Sequence, residues 1–173
     1  MKYLLCGLLL ITASVLVNAQ KLTPEQKLKD RGIVLPEIAP PSANFVDVVR
    51  SGNLLFLAGK GSRNPDGSRI TGKIGTDLTV EQGYTAAQSI AIQHLAVIKK
   101  EIGDLNKVVR FVKVLGMVNT NSDFTAHSQV INGYSDFIVD IFGDKGKHAR
   151  SAVGMNSLPV NLAVEIEVIV EVK

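Results

Sequence analysis

Residues 163–172 alternate strictly. Val164, Ile166, Val168, Val170 and Val172 fall on one side of an extended chain, and Glu165, Glu167 and Glu171 on the other, the pattern of a strand with one buried face. Upstream, Val153 and Met155 share one side, and Arg150, Ala152, Gly154 and Asn156 share the opposite one. A four-residue hairpin loop over 157–160 joins the two strands with both faces matched and pairs Asn156 with Asn161. That register sets Ala152 opposite Glu165 and Arg150 opposite Glu167. It predicts one guanidinium and two carboxylates together on the sheet face that the helices leave bare.

Other periodicities fill in the domain. Thr23-Pro24-Glu25-Gln26 has the form of a helix start, with Thr23 as N-cap and Gln26 placed to return the hydrogen bond. Gly32 ends that helix, and Pro36, Pro40 and Pro41 keep the following arm extended. Residues 45–50 and 53–58 read as strands around Ser51-Gly52, and a turn at Asn64-Pro65-Asp66-Gly67 leads to a short strand near 70–74. Thr79-Val80-Glu81-Gln82 repeats the capping arrangement, with Ala87, Ala91, Leu95, Ile98 and Ile102 at helical spacing up to Gly103. Residues 108–118 are rich in β-branched side chains and predict a long strand. Phe124, Val130, Ile131, Tyr134, Phe137, Ile138 and Ile141 predict a second one-faced helix closed by Gly143. The order favours an α+β layer, a mixed sheet with two helices on one face.

Composition changes this picture little. The 173 residues, 46% hydrophobic, suit one core. A net charge of +3 without a dense basic patch gives no nucleic-acid footprint. The only basic cluster is Lys145, Lys147, His148 and Arg150. Residues 1–19 have the form of a secretory signal: Lys2, an apolar run, then Val17-Asn18-Ala19 before the cut. The expectation is a periplasmic or secreted protein, free of membrane after cleavage, with 20–41 as an N-terminal arm and 42–173 as the domain. Cys6 is the only cysteine, so the exported chain has no disulfide and depends on packing and subunit association. His94, His127 and His148 lack paired metal-ligand spacing, and His94 reads as a packed or partly exposed helical residue. Gly59-Lys60-Gly61-Ser62 fails as a phosphate loop, because Leu54 stands where the first glycine belongs.

Taken alone, Arg150 opposite Glu167 is a cross-strand ion pair. The functional alternative is a planar fork that binds a substrate carboxylate through two parallel hydrogen bonds, with Glu165 holding a water.

Ala149-Arg150-Ser151-Ala152-Val153, Leu158-Pro159 and Val164-Glu165-Ile166-Glu167, supported by Arg50-Ser51-Gly52-Asn53 and Ala58-Gly59, resemble the Rid family of reactive-intermediate deaminases, also called the YjgF or L-PSP group. Asp77-Leu78-Thr79-Val80-Glu81 and Val130-Ile131-Asn132-Gly133 are similar to one branch of it. The resemblance runs from about Gly32 to Lys173. It implies a chorismate-mutase-like fold, a homotrimer with clefts between subunits, and hydrolysis of 2-imino acids to 2-keto acids and ammonia without metal or organic cofactor. By position it implies that Arg150 binds the substrate carboxylate and that Glu165 lies near the attacking water. Phe45, Ala58, Gly59, Ala152 and Asn132 would line the substrate. Phe45 stands where many members have tyrosine, Ala58 replaces a serine, Lys60 a glutamine and Ala152 a cysteine. Two further readings accompany this one: a non-catalytic trimeric binder of small carboxylates, from the lost hydroxyls, and an endoribonuclease, from an old family name and the basic loop.

Overall fold

The computed structural model describes residues 22–41 and 43–173. The expected leader, 1–19, lies outside the described residues. Among the described residues no helix is long and apolar enough to cross a membrane.

Both capping boxes form as the sequence predicts. Thr23 starts α1 (Pro24–Asp30) and Thr79 starts α2 (Val80–Ile102), each hydroxyl accepting from the N3 amide while the N3 glutamine accepts from the cap's own N–H. α2 ends at Gly103, whose φ of 78° suits a residue without Cβ. The second long helix, α3 (His127–Phe142), begins three residues later than the apolar pattern suggests, because Phe124 lies in the preceding turn. α2 buries Ala87, Ile90, Ala91, Leu95 and Ile98, and α3 buries Val130, Ile131, Tyr134, Ile138 and Ile141. The two helices cross closely at Gly133, where a Cβ would be built into the Tyr84 carbonyl.

The sheet has five strands, β1 (Val48–Ser51), β2 (Leu54–Gly61), β3 (Val108–Asn119), β4 (Ala149–Met155) and β5 (Val164–Val172), in the order β1-β2-β5-β3-β4. Two helices cover one face, as expected. The terminal hairpin is not there. β4 pairs with β3 in parallel, Val114 beside Arg150 and Gly116 beside Ala152, while β5 pairs antiparallel with both β2 and β3. The reason is the crossover. A strand followed by a helix and a return packs parallel to its predecessor, so β3, α3 and β4 form one unit and β3 separates β4 from β5.

The segment after β4 therefore crosses the end of β3 instead of turning back on itself. It does so through a 3₁₀ turn at Pro159–Asn161, with Val160 (φ 50°) and Asn161 (φ 59°) in the left-handed region. Asn119, fully buried at the end of β3, donates to Asn161 Oδ1 and to the Leu162 carbonyl, both at 3.0 Å. The expected strand near 70–74 is also absent: Thr71 and Ile74 make only isolated bridges. Its amide groups serve the crossing segment instead, with Ala163 donating to the Ile70 carbonyl at 3.0 Å.

Leu55, Leu57, Phe111, Val114 and Val118 join the five apolar residues of β5 beneath the helices. The opposite face carries Val49, Phe56, Val153 and Met155 exposed among Glu165, Glu167, Glu171 and Lys113. The arm's helix is docked: Leu28 is buried in the core, Lys27 donates to the Asp140 carbonyl at 2.7 Å, and Arg31 pairs with Asp140 at 2.6 Å. Overpacking the helix crossing with Gly133→Ala is expected to lower unfolding free energy by roughly 1–3 kcal/mol, read as a lower urea midpoint with an unchanged slope.

Candidate functional site

The residues expected to form one site fall into two groups on opposite faces of the sheet. Arg150 shares its side with buried Val114 and Val168, which is the helix side. Glu165 lines up with Met117 and Val153, and Glu167 with Leu115 and Ser151, on the bare side. The expectation that Arg150 faces Glu167 and that the guanidinium joins both carboxylates is therefore corrected. The predicted alternation within β4 holds, but insertion of β3 reverses which face its polar residues meet.

In the first group Arg150 sits at the sheet edge and reaches α3. Its Nη1 donates to Asn132 Oδ1 and to Ser135 Oγ, each at 2.9 Å, and Nη2 lies 3.5 Å from the Ser128 carbonyl. Asn132 and Ser135 are three apart on a helix and so share a face. That spacing was a usable signal for Ser135, which the sequence reading missed. Behind Ser135 stands His148, also missed as a site residue, with Nε2 3.0 Å from Ser135 Oγ and Nδ1 2.7 Å from the Gly146 carbonyl. Ala152, beside Gly116, packs partly buried against the core. Asn132 also lines a shallow groove of about 410 Å³ with Val80, Glu81, Tyr84, Thr85 and Gln129. Among the described residues no ion pair involves Arg150. A guanidinium has five N–H donors, so part of its fork remains for a ligand.

The second group is Glu165 with Gly59 and Glu167 beside it. The Glu165 carboxylate lies against Gly59, where any Cβ would collide with Oε1, so glycine there leaves room for an acid on the neighbouring strand. Half burial, and secondly the adjacent Glu167 charge, raise the Glu165 carboxyl above the ordinary glutamate value. Ala58 donates its N–H to the Asp47 carbonyl at 3.0 Å, and Lys60 forms an ion pair with the Asp47 side chain. These bonds hold the segment carrying Phe45, an exposed ring, beside β2. Phe45, Ala58 and Gly59 supply no side-chain hydrogen-bonding group.

Between the helices and β2 lies a buried pair absent from the sequence reading. His94 is fully buried, the packed one of its two expected states, with Nδ1 3.1 Å from the Tyr134 hydroxyl and Nε2 3.4 Å from the Ala58 carbonyl. A carbonyl only accepts, so Nε2 carries the proton and the Tyr134 hydroxyl donates to Nδ1. Burial pushes the His94 imidazole down to about 3, helped by the Lys60 charge and opposed by the Ala58 hydrogen bond.

Folding therefore requires a neutral His94. Its contribution is complete above the unfolded value near 6.5 and is lost as pH falls from there toward 3. Below pH 6.5 the wild type is expected to lose unfolding free energy more steeply than His94→Gln, by at most about 1.4 kcal/mol per pH unit, measured by urea denaturation from pH 7 to 4. Parallel profiles would place the proton elsewhere.

Comparison with known proteins agrees with this architecture. Residues 25–172 match the family described as "YjgF/chorismate_mutase-like, putative endoribonuclease". The chain is 42% identical over 145 residues to protein TCP17 of Trypanosoma cruzi, covering 83% of this chain and 91% of that one. It is similar to the crystal structure of Atu1372 from Agrobacterium tumefaciens (TM-score 0.80, 39% identity, 87% of this chain and 94% of that one). It is also similar to that of YyfA from Yersinia pestis, named as a member of the conserved Rid family (TM-score 0.53, 26% identity, 80% and 98%). With the fold, the helix-covered sheet and the family match in agreement over nearly all the described residues, the chain belongs to the YjgF/chorismate-mutase-like family.

Proposed function

We propose that this protein is an exported 2-imino acid deaminase that works as a homotrimer, each site assembled from two protomers. The observation that carries the reading is the division of the site. Arg150 with Asn132 and Ala152 lies at a sheet edge on the helix side, and Glu165, against Gly59, lies on the bare face. One protomer cannot put both groups on one small substrate. Association through the bare face, with its exposed Val49, Phe56, Val153 and Met155, brings one subunit's Glu165 group toward a neighbour's edge strand.

In such a cleft the free N–H groups of Arg150 bind the substrate carboxylate and fix the iminium carbon in position. That carbon is already electrophilic, so the chemistry needs little beyond one placed water. Glu165 accepts a proton from the water as its oxygen bonds to C2, giving a tetrahedral carbinolamine. Glu165 passes that proton to the nitrogen, and the C–N bond breaks with its electron pair leaving on ammonia. The keto group forms as the hydroxyl gives its proton to Glu165, which returns it to ammonia, so the 2-keto acid and ammonium together account for the iminium ion and the water. A carboxyl raised by burial and by Glu167 sits nearer the working pH and exchanges protons more readily. No metal or organic cofactor takes part in any of these steps.

A second reading, a non-catalytic binder of small carboxylates, is supported by the absence of hydroxyl or thiol side chains at Phe45, Ala58 and Ala152. An endoribonuclease is less well supported. Of the basic loop's cations Lys145 donates to the Val108 carbonyl and Lys147 pairs with Asp144, and Arg150 alone keeps N–H groups for an anion. That leaves no track of free charge for a phosphate backbone.

Arg150→Ala is expected to abolish keto-acid release from enzymatically generated 2-iminobutanoate while the trimer persists in sedimentation. Unchanged rates would refute its role. Glu165→Gln is expected to slow release and remove the acid limb of the pH profile, which in the wild type is displaced upward from the usual glutamate range. Co-expressed Arg150→Ala and Glu165→Gln chains should show activity above that of either mutant homotrimer, because mixed trimers restore intact sites. Calorimetric binding of 2-oxobutanoate with no turnover would instead favour the binder.

A further inference from the structure

The hydrogen bonds behind Arg150 form a chain in which chemistry fixes each proton. The Gly146 carbonyl only accepts, so His148 Nδ1, 2.7 Å away, is the donor. In the neutral ring Nε2 then carries a lone pair, and the Ser135 hydroxyl donates to it across 3.0 Å. With its proton directed at His148, Ser135 Oγ turns lone pairs toward Arg150, whose Nη1 donates at 2.9 Å. Asn132 Oδ1 takes the second bond of the same nitrogen at 2.9 Å.

The surroundings favour the neutral ring. Burial, then the Arg150 charge, lower the His148 imidazole from its ordinary value against the pull of the Gly146 carbonyl. From α3 the ring of Tyr134 meets it edge-on at 6.3 Å, and burial keeps that phenol protonated. Charging His148 would place a proton on Nε2, reverse the Ser135 hydroxyl and set a second cation behind the guanidinium.

We propose that Ser135 and His148 are positioning residues for Arg150: a neutral, Nδ1-protonated His148 orients the Ser135 hydroxyl, which anchors Nη1 and leaves Nε and the Nη2 N–H not turned to the Ser128 carbonyl to meet an incoming carboxylate. This rests on Arg150 being the carboxylate receptor of the proposed deaminase. Neither residue touches substrate. Their removal weakens carboxylate binding and leaves the bond-breaking step intact.

The test combines the wild-type protein with Ser135→Ala, His148→Phe and His148→Gln. Ser135→Ala and His148→Phe are expected to raise KM for 2-iminobutanoate and Kd for 2-oxobutanoate roughly tenfold, the effect of one hydrogen bond to a charged group, with kcat nearly unchanged. His148→Gln, whose side-chain carbonyl can accept from Ser135, should recover most of the loss. Nitrogen NMR of the wild type at neutral pH should show the proton on Nδ1, and His148→Phe should shift the Arg150 side-chain N–H signals. A charged or Nε2-protonated ring, unmoved Arg150 signals, or an unchanged KM in Ser135→Ala would overturn the proposal. The NMR readouts need no turnover. A wild type that binds no 2-oxobutanoate but shows the Nδ1 proton and the shifted Arg150 signals would therefore refute the deaminase reading and leave the relay standing.

Discussion

A strand paired on both edges, as β5 is between β2 and β3, commits nearly all its backbone N–H and C=O groups to the ladder and can present only its two faces. One face of β5 is wholly apolar and is sealed by α2 and α3. The other must then carry its glutamates outward. The placement of Glu165 follows from this constraint, as does the role of Gly59 on the neighbouring strand, which gives the carboxylate room. Leaving β5 at an edge would expose the most apolar alternating segment of the chain, so its central position is where burial gains most.

The same insertion decides the position of Arg150. β4 is joined to β3 through α3 and lies parallel to it at the sheet edge, so the polar side of β4 meets the helix layer and not the bare face. There the arginine finds Asn132 and Ser135 at helical spacing. Proximity in sequence between β4 and β5 thus coexists with separation in space, because the connecting segment crosses the end of β3. Asn119 and the left-handed Val160 and Asn161 make that crossing possible.

Two histidines show how the interior handles polar groups. His94 and His148 each give a proton to a backbone carbonyl through one ring nitrogen and receive a hydroxyl proton at the other. Burial penalises the charged form of both rings, and in each the carbonyl takes the proton of one ring nitrogen. The chains come close where Tyr134 meets His148. In this way the polar network of the helix layer runs through Ser135 to the Arg150 guanidinium.

Local order was legible in the residues. The capping boxes at Thr23 and Thr79, the stops at Gly103 and Gly143, the long strand of β-branched residues and the alternation of 163–172 each depend on interactions within a few positions, which a sequence displays directly. The motif around Arg150 and Glu165 was legible too, and it carries the family resemblance. Strand order was not legible. A hairpin and a crossover satisfy the same alternation in β4 and β5, and only the packing of α3 on the sheet selects between them. The face met by Arg150 and the partnership of Ser135 and His148 both depend on that selection. Side-chain pattern fixes which residues share a face, whereas the neighbour that a face meets is set by long-range burial among elements far apart in the chain.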